Sequence, residues 1–397
     1  MTAGVAVVVL TLAGCGQNSQ GDDDAAGSIK IGLTSAMSGP SSIYGTVTAN
    51  AINLAIKDVN AGGGLLGRQI ELVTYDDEFD PQKAQTNTRR LLTEDEVDVL
   101  FATAGSGSVM ATVGLAAAND TLMFNTIGQT DEITYPNGLD EAPYRNVFST
   151  AVPNSVEADF LATAVPKIAS KVGLIGENTP YGQTSLDRIE QKLTGGEVVG
   201  REAFDQGATS MTAQLLRLDE AGAEVILPVG CCDLVTLRRN MATLGMEQMV
   251  AGAGGLGLTG YYGVVGGLAN GDKFATPRIF AASGDYSPEA RAFADAYKAE
   301  FGNDEAYGNG ENPQPTFGIM ATRTYQAVQI YLAAVEAAGT VEPGAVRKVL
   351  ESGDEFETVD GPVSFSPDDH YAFTTDNLVL DTIVVAEDGT FTFERRD

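Results

Sequence analysis

The chain is poor in the side chains that metal sites, nucleophilic enzymes and nucleic-acid interfaces use most. Its 397 residues include one histidine, three cysteines and no tryptophan. A single histidine excludes a histidine-rich metal site and argues against a Ser-His-Asp catalytic set. Lysine and arginine number 24 against 54 acidic residues, which gives a formal charge of −30. A surface of that sign repels nucleic acid, so no nucleic-acid partner is expected.

Two motifs imitate cofactor or metal sites. Residues 252–257 fit the spacing G-x-G-x-x-G, but no predicted helix follows them, so we predict no dinucleotide site. The acids at 76–80 lack the spacing of a calcium loop and are interpreted as a solvated turn. The lone histidine, His370, lies in a polar run that indicates a surface turn. We therefore predict no cofactor, no metal and no catalytic residue.

The first 27 residues differ in character from the rest. Residues 5–12 form an apolar run that is too short to span a bilayer and is followed by LAGC, ending at Cys15. This order resembles a bacterial lipobox, which implies that 1–14 are a signal peptide and that Cys15 is lipidated. The alternative is a buried strand that ends in a cysteine. Residues 15–27 are polar and Gly-rich, and predict a flexible tether.

From residue 28 onward, apolar runs alternate with amphipathic segments. One series reaches about residue 125 and a similar series restarts after Tyr144, which predicts parallel sheets covered by helices on both faces. A Gly-rich stretch at 252–271 follows, then a predicted strand at 278–282 and further helices. The tail contains three β-like runs, the first at 363–366. This pattern favours two α/β lobes with a ligand between them, at the carboxyl ends of the strands.

Several short motifs occur along these lobes in a fixed order. They are AMSGPSSIYG at 36–45, AIKDVNAGG at 55–63, YDD at 75–77, PYG at 180–182 and LG at 244–245. Together they resemble the type I periplasmic-binding-protein superfamily, and most of all the branched-chain amino-acid (Leu/Ile/Val) binding proteins of ABC importers. The resemblance covers about residues 28–370. It implies two doubly wound α/β lobes joined by three crossover strands.

The resemblance also implies how the chain divides and what it does. Lobe 1 would comprise 28–148 and 281–361, and lobe 2 would comprise 149–280 and 362–397. The protein would be a monomeric, extracytoplasmic receptor that closes on a small solute, most of all an amino acid, and delivers it to ABC permease subunits. It would be held at the cell membrane through Cys15. The alternatives are a short-chain amide or urea receptor of the same fold and a ligand-sensing ectodomain.

The predicted carboxylate site lies at a helix start. In the segment AGSGS at 104–108, Ser106 and Gly107 offer a hydroxyl and backbone N–H groups, which suit a carboxylate. The alternative is that the serine caps its own helix. The resemblance implies that Ser106 binds ligand, and it adds Gly128 and Thr130 by position.

The opposite wall is predicted from the second lobe. The resemblance implies that Asp233 binds the ammonium of an amino acid, although its place before a helix also suits an N-cap. It further implies that Tyr44 and Tyr181 form aromatic walls. Cys231 and Cys232 are adjacent, and either two thiols or a vicinal disulfide would line the pocket. The site prediction therefore includes Cys232.

Overall fold

A computed structural model describes residues 27–39, 41–230, 233–277, 287–302 and 315–395. Its first sheet contains five parallel strands in the order β2-β1-β3-β4-β5. All four residues of the third and of the fourth strand are buried, as expected where helices cover both faces of a sheet. The strands are β1 Ile29–Ser35, β2 Ile70–Asp76, β3 Val99–Ala102, β4 Leu122–Asn125 and β5 Val147–Ser149.

The second sheet contains seven strands in the order β12-β11-β10-β9-β8-β6-β7. Its first five strands in sequence are parallel to one another. The two C-terminal strands are added at one edge, where β11 runs antiparallel to β10 and β12 runs antiparallel to β11. The strands are β6 Lys171–Glu177, β7 Glu197–Phe204, β8 Val225–Val229, β9 Met249–Gly252, β10 Lys273–Pro277, β11 Leu378–Val385 and β12 Phe391–Arg395.

Eleven α-helices connect these strands within the part of the chain that the structure describes. A proline stands in the first turn of α2, α5, α9 and α11, where its missing N–H has no helical acceptor to lose. The helices are α1 Ser42–Ala61, α2 Pro81–Thr93, α3 Ser106–Ala118, α4 Asn154–Ala164, α5 Pro180–Lys192, α6 Thr212–Glu220, α7 Leu234–Leu244, α8 Thr259–Val265, α9 Pro288–Phe301, α10 Pro315–Ala338 and α11 Pro343–Leu350.

Each sheet has its own hydrophobic core, and the chain passes between them three times. Helix α10 packs its buried face on the first sheet, where Ile330 and Val335 share a core with Ile31 and Phe101. Helix α4 instead packs with β6 and β8 of the second sheet. The passages follow β5, β10 and α11, since β11 returns to the second sheet. The predicted fold class, two α/β lobes joined by three crossovers, is confirmed.

The structure corrects several details of the predicted elements. A strand that was not predicted, β10, lies at Lys273–Pro277, and the strand predicted at 278–282 lies outside the described residues. A short helix, α8, does follow the G-x-G-x-x-G motif, so the absence of a helix was a wrong reason to reject a dinucleotide site. Residues 363–366 make only isolated bridges, and Val363 and Phe365 pack in the core of the first sheet.

The prediction that His370 lies on the surface was wrong. Its side chain is fully buried, stacks on Phe148 at 4.1 Å between ring centroids, and places Nδ1 2.8 Å from the carbonyl oxygen of Val147. The acids before it in the turn face solvent, and they gave the run its polar pattern. An imidazole can enter a core when one nitrogen bonds to a backbone carbonyl and the ring packs on an aromatic neighbour.

Candidate functional site

A cleft of about 580 Å³ lies at the carboxyl ends of the strands of both sheets. Its first-lobe wall is formed by α1, the start of α3 and the loop after β4. Its second-lobe wall is formed by the starts of α5 and α7, and the floor by the loop after β9 and a turn of α10. Five of the predicted site residues line it: Tyr44, Ser106, Gly107, Tyr181 and Asp233.

The start of α3 presents hydrogen-bond donors to this cleft. Gly105 is the N-cap, so the N–H groups of Ser106 and Gly107 have no carbonyl in a preceding helical turn to bond. The Ser106 Oγ accepts the N–H of Gln129 at 3.0 Å and that of Thr130 at 3.2 Å. Because both contacts use its lone pairs, the hydroxyl proton can be donated to a ligand. The serine therefore joins α3 to the loop after β4 and keeps a donor for the cleft.

Gly128 and Thr130 do not line the cleft. The Gly128 carbonyl accepts the side-chain amide of Asn125 at 2.6 Å, and a Cβ on this glycine would lie 2.7 Å from Ile133. The Thr130 hydroxyl is buried and bonds to Glu132. These two residues shape the loop, and the side chain between them, Gln129, lines the cleft in their place.

Aromatic rings form the apolar part of the walls. Tyr44 on α1 and Phe79 lie with ring centroids 5.7 Å apart, and Tyr181 lies on the second lobe. Phe79 was not predicted from the sequence. It has a left-handed backbone (φ 63°), and its N–H donates to Asp77 Oδ1 at 2.8 Å. The Asp77 carboxylate thus bonds to the backbone of its own turn, and this turn places the ring of Phe79 in the cleft lining.

Asp233 precedes α7, but its side chain does not cap that helix. Its Oδ2 accepts the N–H of Gly207 at 3.1 Å, and the residue is partly exposed at the cleft. Glu177, which is buried, lines the same side. The second-lobe wall is therefore acidic. Cys232 and its neighbour Cys231 lie outside the described residues, as does Cys15.

The floor carries two buried charged residues that the sequence analysis missed. Glu157 on α4 accepts the N–H of Gly254 and the O–H of Tyr181, both at 2.9 Å. Burial raises the pKa of its carboxyl group. Arg323 on α10 is 9% exposed, and burial lowers the pKa of its guanidinium to about 10. The available signal was that Arg323 is the only basic residue of α10.

The glycines of the G-x-G-x-x-G motif build this floor through close packing. A Cβ on Gly252 would lie 2.3 Å from the carbonyl oxygen of Pro228, and one on Gly255 would lie 2.1 Å from that of Gly230. The loop can therefore lie against the end of β8 only without side chains at these positions. The motif serves chain packing and the bond from Gly254 to Glu157.

Two α/β lobes with a solute-sized cleft between them define the class of two-lobed solute-binding proteins. The family model described as periplasmic binding protein matches residues 28–379, and the chain belongs to that family. It is therefore an extracytoplasmic binding protein rather than an enzyme. No helix among the described residues has the length and apolar character needed to cross a membrane.

Three comparisons illustrate the family relationship. The Leucine-, isoleucine-, valine-, threonine-, and alanine-binding protein of Pseudomonas aeruginosa is 25% identical over 348 residues, covering 86% of each chain. A type 1 periplasmic binding protein from Bordetella pertussis Tohama I has a TM-score of 0.87 at 33% identity, covering 93% of this chain and 100% of that one. LivJ from Streptococcus pneumoniae, solved with isoleucine, shares the fold with a TM-score of 0.77 at 23% identity, covering 93% and 99%.

Proposed function

We propose that the protein is a receptor that captures a small α-amino acid between its lobes and delivers it to an ABC permease. The observation that carries this proposal is the pairing of walls in one cleft. The start of α3, with Ser106 and Gly107, faces the cleft from the first lobe, and Asp233 faces it from the second. These walls suit the two charged ends of a zwitterion.

The carboxylate end belongs at α3. Two backbone N–H groups and the Ser106 hydroxyl converge there, and the helix dipole favours a negative charge at this end. The ammonium end belongs at Asp233, with Glu177 adding negative charge on the same side. Because the two ends touch different lobes, the ligand binds most tightly when the lobes are closed, and closure follows from that difference in affinity.

The names of related proteins make branched-chain amino acids the first ligands to test. The P. aeruginosa relative is named for binding leucine, isoleucine, valine, threonine and alanine. The aromatic walls at Tyr44, Phe79 and Tyr181 suit an aliphatic side chain. A short-chain amide or urea is the second candidate, because the same donors could hold a carbonyl group.

Attachment and assembly complete the proposal. We place lobe 1 at 28–148 and 281–361 and lobe 2 at 149–280 and 362–397, with a hinge at the three crossovers. The start of the last segment, at Val363 and Phe365, packs on the core of the first sheet before the chain reaches β11. Lipidation of Cys15 would hold the receptor at the membrane through the tether at 15–27, within reach of the permease. We propose that the receptor acts as a monomer, with one solute held in this cleft.

A thermal-shift screen tests the ligand class. Leucine, isoleucine, valine, threonine, alanine, acidic amino acids, short-chain amides and urea would be added singly, since a solute that binds only the folded protein raises its melting temperature. We expect at least one amino acid to do so, and the radius of gyration in small-angle X-ray scattering to fall on binding. A response to amides alone would refute the amino-acid proposal.

A further inference from the structure

The floor of the cleft holds Arg323 in a fixed position. Its carbonyl oxygen accepts the hydroxyl of Thr150 at 2.9 Å, and the hydroxyl of the next residue, Thr324, lies 2.9 Å from that of Thr126. These bonds attach α10 to the first crossover and to the loop after β4. The guanidinium is therefore presented to the cleft from a backbone that is held on two sides.

The guanidinium forms no salt bridge among the described residues, although the charges of Asp360 and Glu157 act on it and oppose the lowering of its pKa by burial. Its side chain is nine-tenths buried, and its Nε has no hydrogen-bond partner. The guanidinium also lies over the ring of Phe373, whose centroid is 5.5 Å from Cζ. A buried arginine without a partner loses its hydration without gaining equivalent bonds, so a group that enters the cleft and supplies them is strongly favoured.

The neighbouring carboxylates do not supply those bonds. Glu157 uses its oxygens for Gly254 and Tyr181. Asp360 has a buried Oδ2 without a partner, and burial raises the pKa of this carboxyl group to about 7, so part of its population is neutral at neutral pH. Arg323, with a pKa of about 10, stays charged. Neither carboxylate bonds to the guanidinium, so its buried Nε–H remains available to a group that enters the cleft.

We propose that Arg323 binds a carboxylate on the side chain of the solute, so that the solute is an acidic amino acid. Among the described residues that line the cleft, Arg323 is the only base, against the acids Glu157, Glu177 and Asp233. A planar guanidinium matches a carboxylate in a two-bond geometry that a neutral amide or alkyl group cannot reproduce. This inference rests on the proposed amino-acid function, with the α-carboxylate at α3 and the ammonium at Asp233.

Isothermal titration with matched ligands tests it on the wild-type protein. Glutamate is compared with glutamine, and aspartate with asparagine, because each pair differs mainly in the charge of the side chain. Leucine and isoleucine represent the branched chain, and succinate and glutarate provide two carboxylates without an ammonium. We expect one acidic amino acid to bind at least roughly tenfold more tightly than its amide and than leucine.

Variants then assign the preference to one residue. We expect Arg323→Gln to abolish the preference for the acid over its amide, and Arg323→Lys to restore part of it. The control is Arg217→Gln, which removes a surface arginine that pairs with Glu202, does not line the cleft and should leave all affinities unchanged. Circular dichroism at the titration temperature verifies folding, and the wild-type ligand pairs keep the test decisive if Arg323→Gln does not fold.

The outcomes separate this inference from the function on which it rests. Tight binding of leucine or isoleucine, with no preference for an acid over its amide, overturns the role of Arg323 and leaves the amino-acid receptor intact. Binding of succinate or glutarate that depends on Arg323, with no amino acid bound, upholds the anion site and refutes the amino-acid proposal. If none of these compounds binds, both are refuted.

Discussion

The hydroxyl of Tyr181 donates a 2.9 Å hydrogen bond to Oε2 of Glu157, and both residues belong to the second lobe and line the cleft. The other carboxylate oxygen accepts the N–H of Gly254 in the floor. The buried Glu157 thus fixes the position of the Tyr181 ring relative to the loop at Gly254. The cleft is assembled by such contacts before any ligand enters, which reduces the ordering that binding requires.

Replacing Tyr181 with phenylalanine should destabilise the protein. The change removes the donor and leaves Oε2 of the buried Glu157 poorly satisfied, which costs about 1–3 kcal/mol in the free energy of unfolding. Urea denaturation measures this loss. The control is Tyr75→Phe, which removes a 3.0 Å bond to Asp95 that is only partly buried and should cost less. Equal losses in the free energy of unfolding would show that the bond between Tyr181 and Glu157 contributes no more stability than the bond between Tyr75 and Asp95.

Replacing Asp233 with asparagine should weaken amino-acid binding while leaving the fold intact. Asparagine keeps an oxygen for the N–H of Gly207 but removes the charge that would pair with an ammonium. We expect a loss of about 1.5–3 kcal/mol in binding free energy, measured by calorimetry. The matching hydroxy acid, which has no ammonium, should bind both proteins alike. Asp219→Asn, at an exposed acid, is the control, and similar affinity in all three proteins would contradict the ammonium role.

The stability difference between Asp360→Asn and wild type should depend on pH. Burial raises the pKa of Asp360 from its ordinary value of 3.8 to about 7 in the folded protein, against the opposing effect of the Arg323 charge. The folded state therefore holds more protons between these values, and this residue's contribution to stability falls as pH rises through that window. Asparagine does not titrate, so the variant should gain stability relative to wild type from pH 5 to pH 8. A difference that does not change with pH would contradict this pKa.

Glycine 255 should not tolerate a side chain. Its Cβ would lie 2.1 Å from the carbonyl oxygen of Gly230, so Gly255→Ala must displace the floor of the cleft at a cost of roughly 1–3 kcal/mol. The control is Gly260→Ala on α8, where nothing lies within 4 Å of the added methyl group. That variant should be neutral or stabilised by about 0.5–1 kcal/mol. Thermal denaturation compares them, and equal melting temperatures would refute the close contact.

Replacing His370 with alanine should destabilise the protein, because this residue packs on the core of the first sheet. The ring is fully buried against Phe148 and bonds to the carbonyl of Val147, so its removal leaves a cavity and an unpaired acceptor. We expect a loss of about 2–5 kcal/mol in the free energy of unfolding. Asp368→Ala, at an exposed residue of the same turn, should change it by less than about 0.5 kcal/mol. If both variants changed the free energy of unfolding by a similar small amount, the buried position of His370 would be contradicted.

Much of the architecture could be predicted because its signals are local. Alternating apolar and amphipathic segments identify the strands and helices from β1 to α7 except β5. The pair Asp80-Pro81 is a typical helix start, and α2 begins there with Asp80 accepting the N–H groups of Gln82 and Lys83. Signals failed where composition was misleading. Glycine suggested a loop where α8 forms, and a polar run concealed the buried His370. In both cases, packing against distant segments outweighed local preference.

The sequence by itself determined the α/β class, the two lobes and the loops from which a site could be built, because periodicity and helix-start chemistry act between near neighbours. Only the tertiary structure decided which residues meet. It brought Ser106 and Asp233 to one cleft, moved Gly128 and Thr130 into supporting positions, and placed Glu157 and Arg323 together in the floor. Glu157 and Arg323 are far apart in sequence. Burial shifts the pKa values of both, and burial arises only when the chain packs.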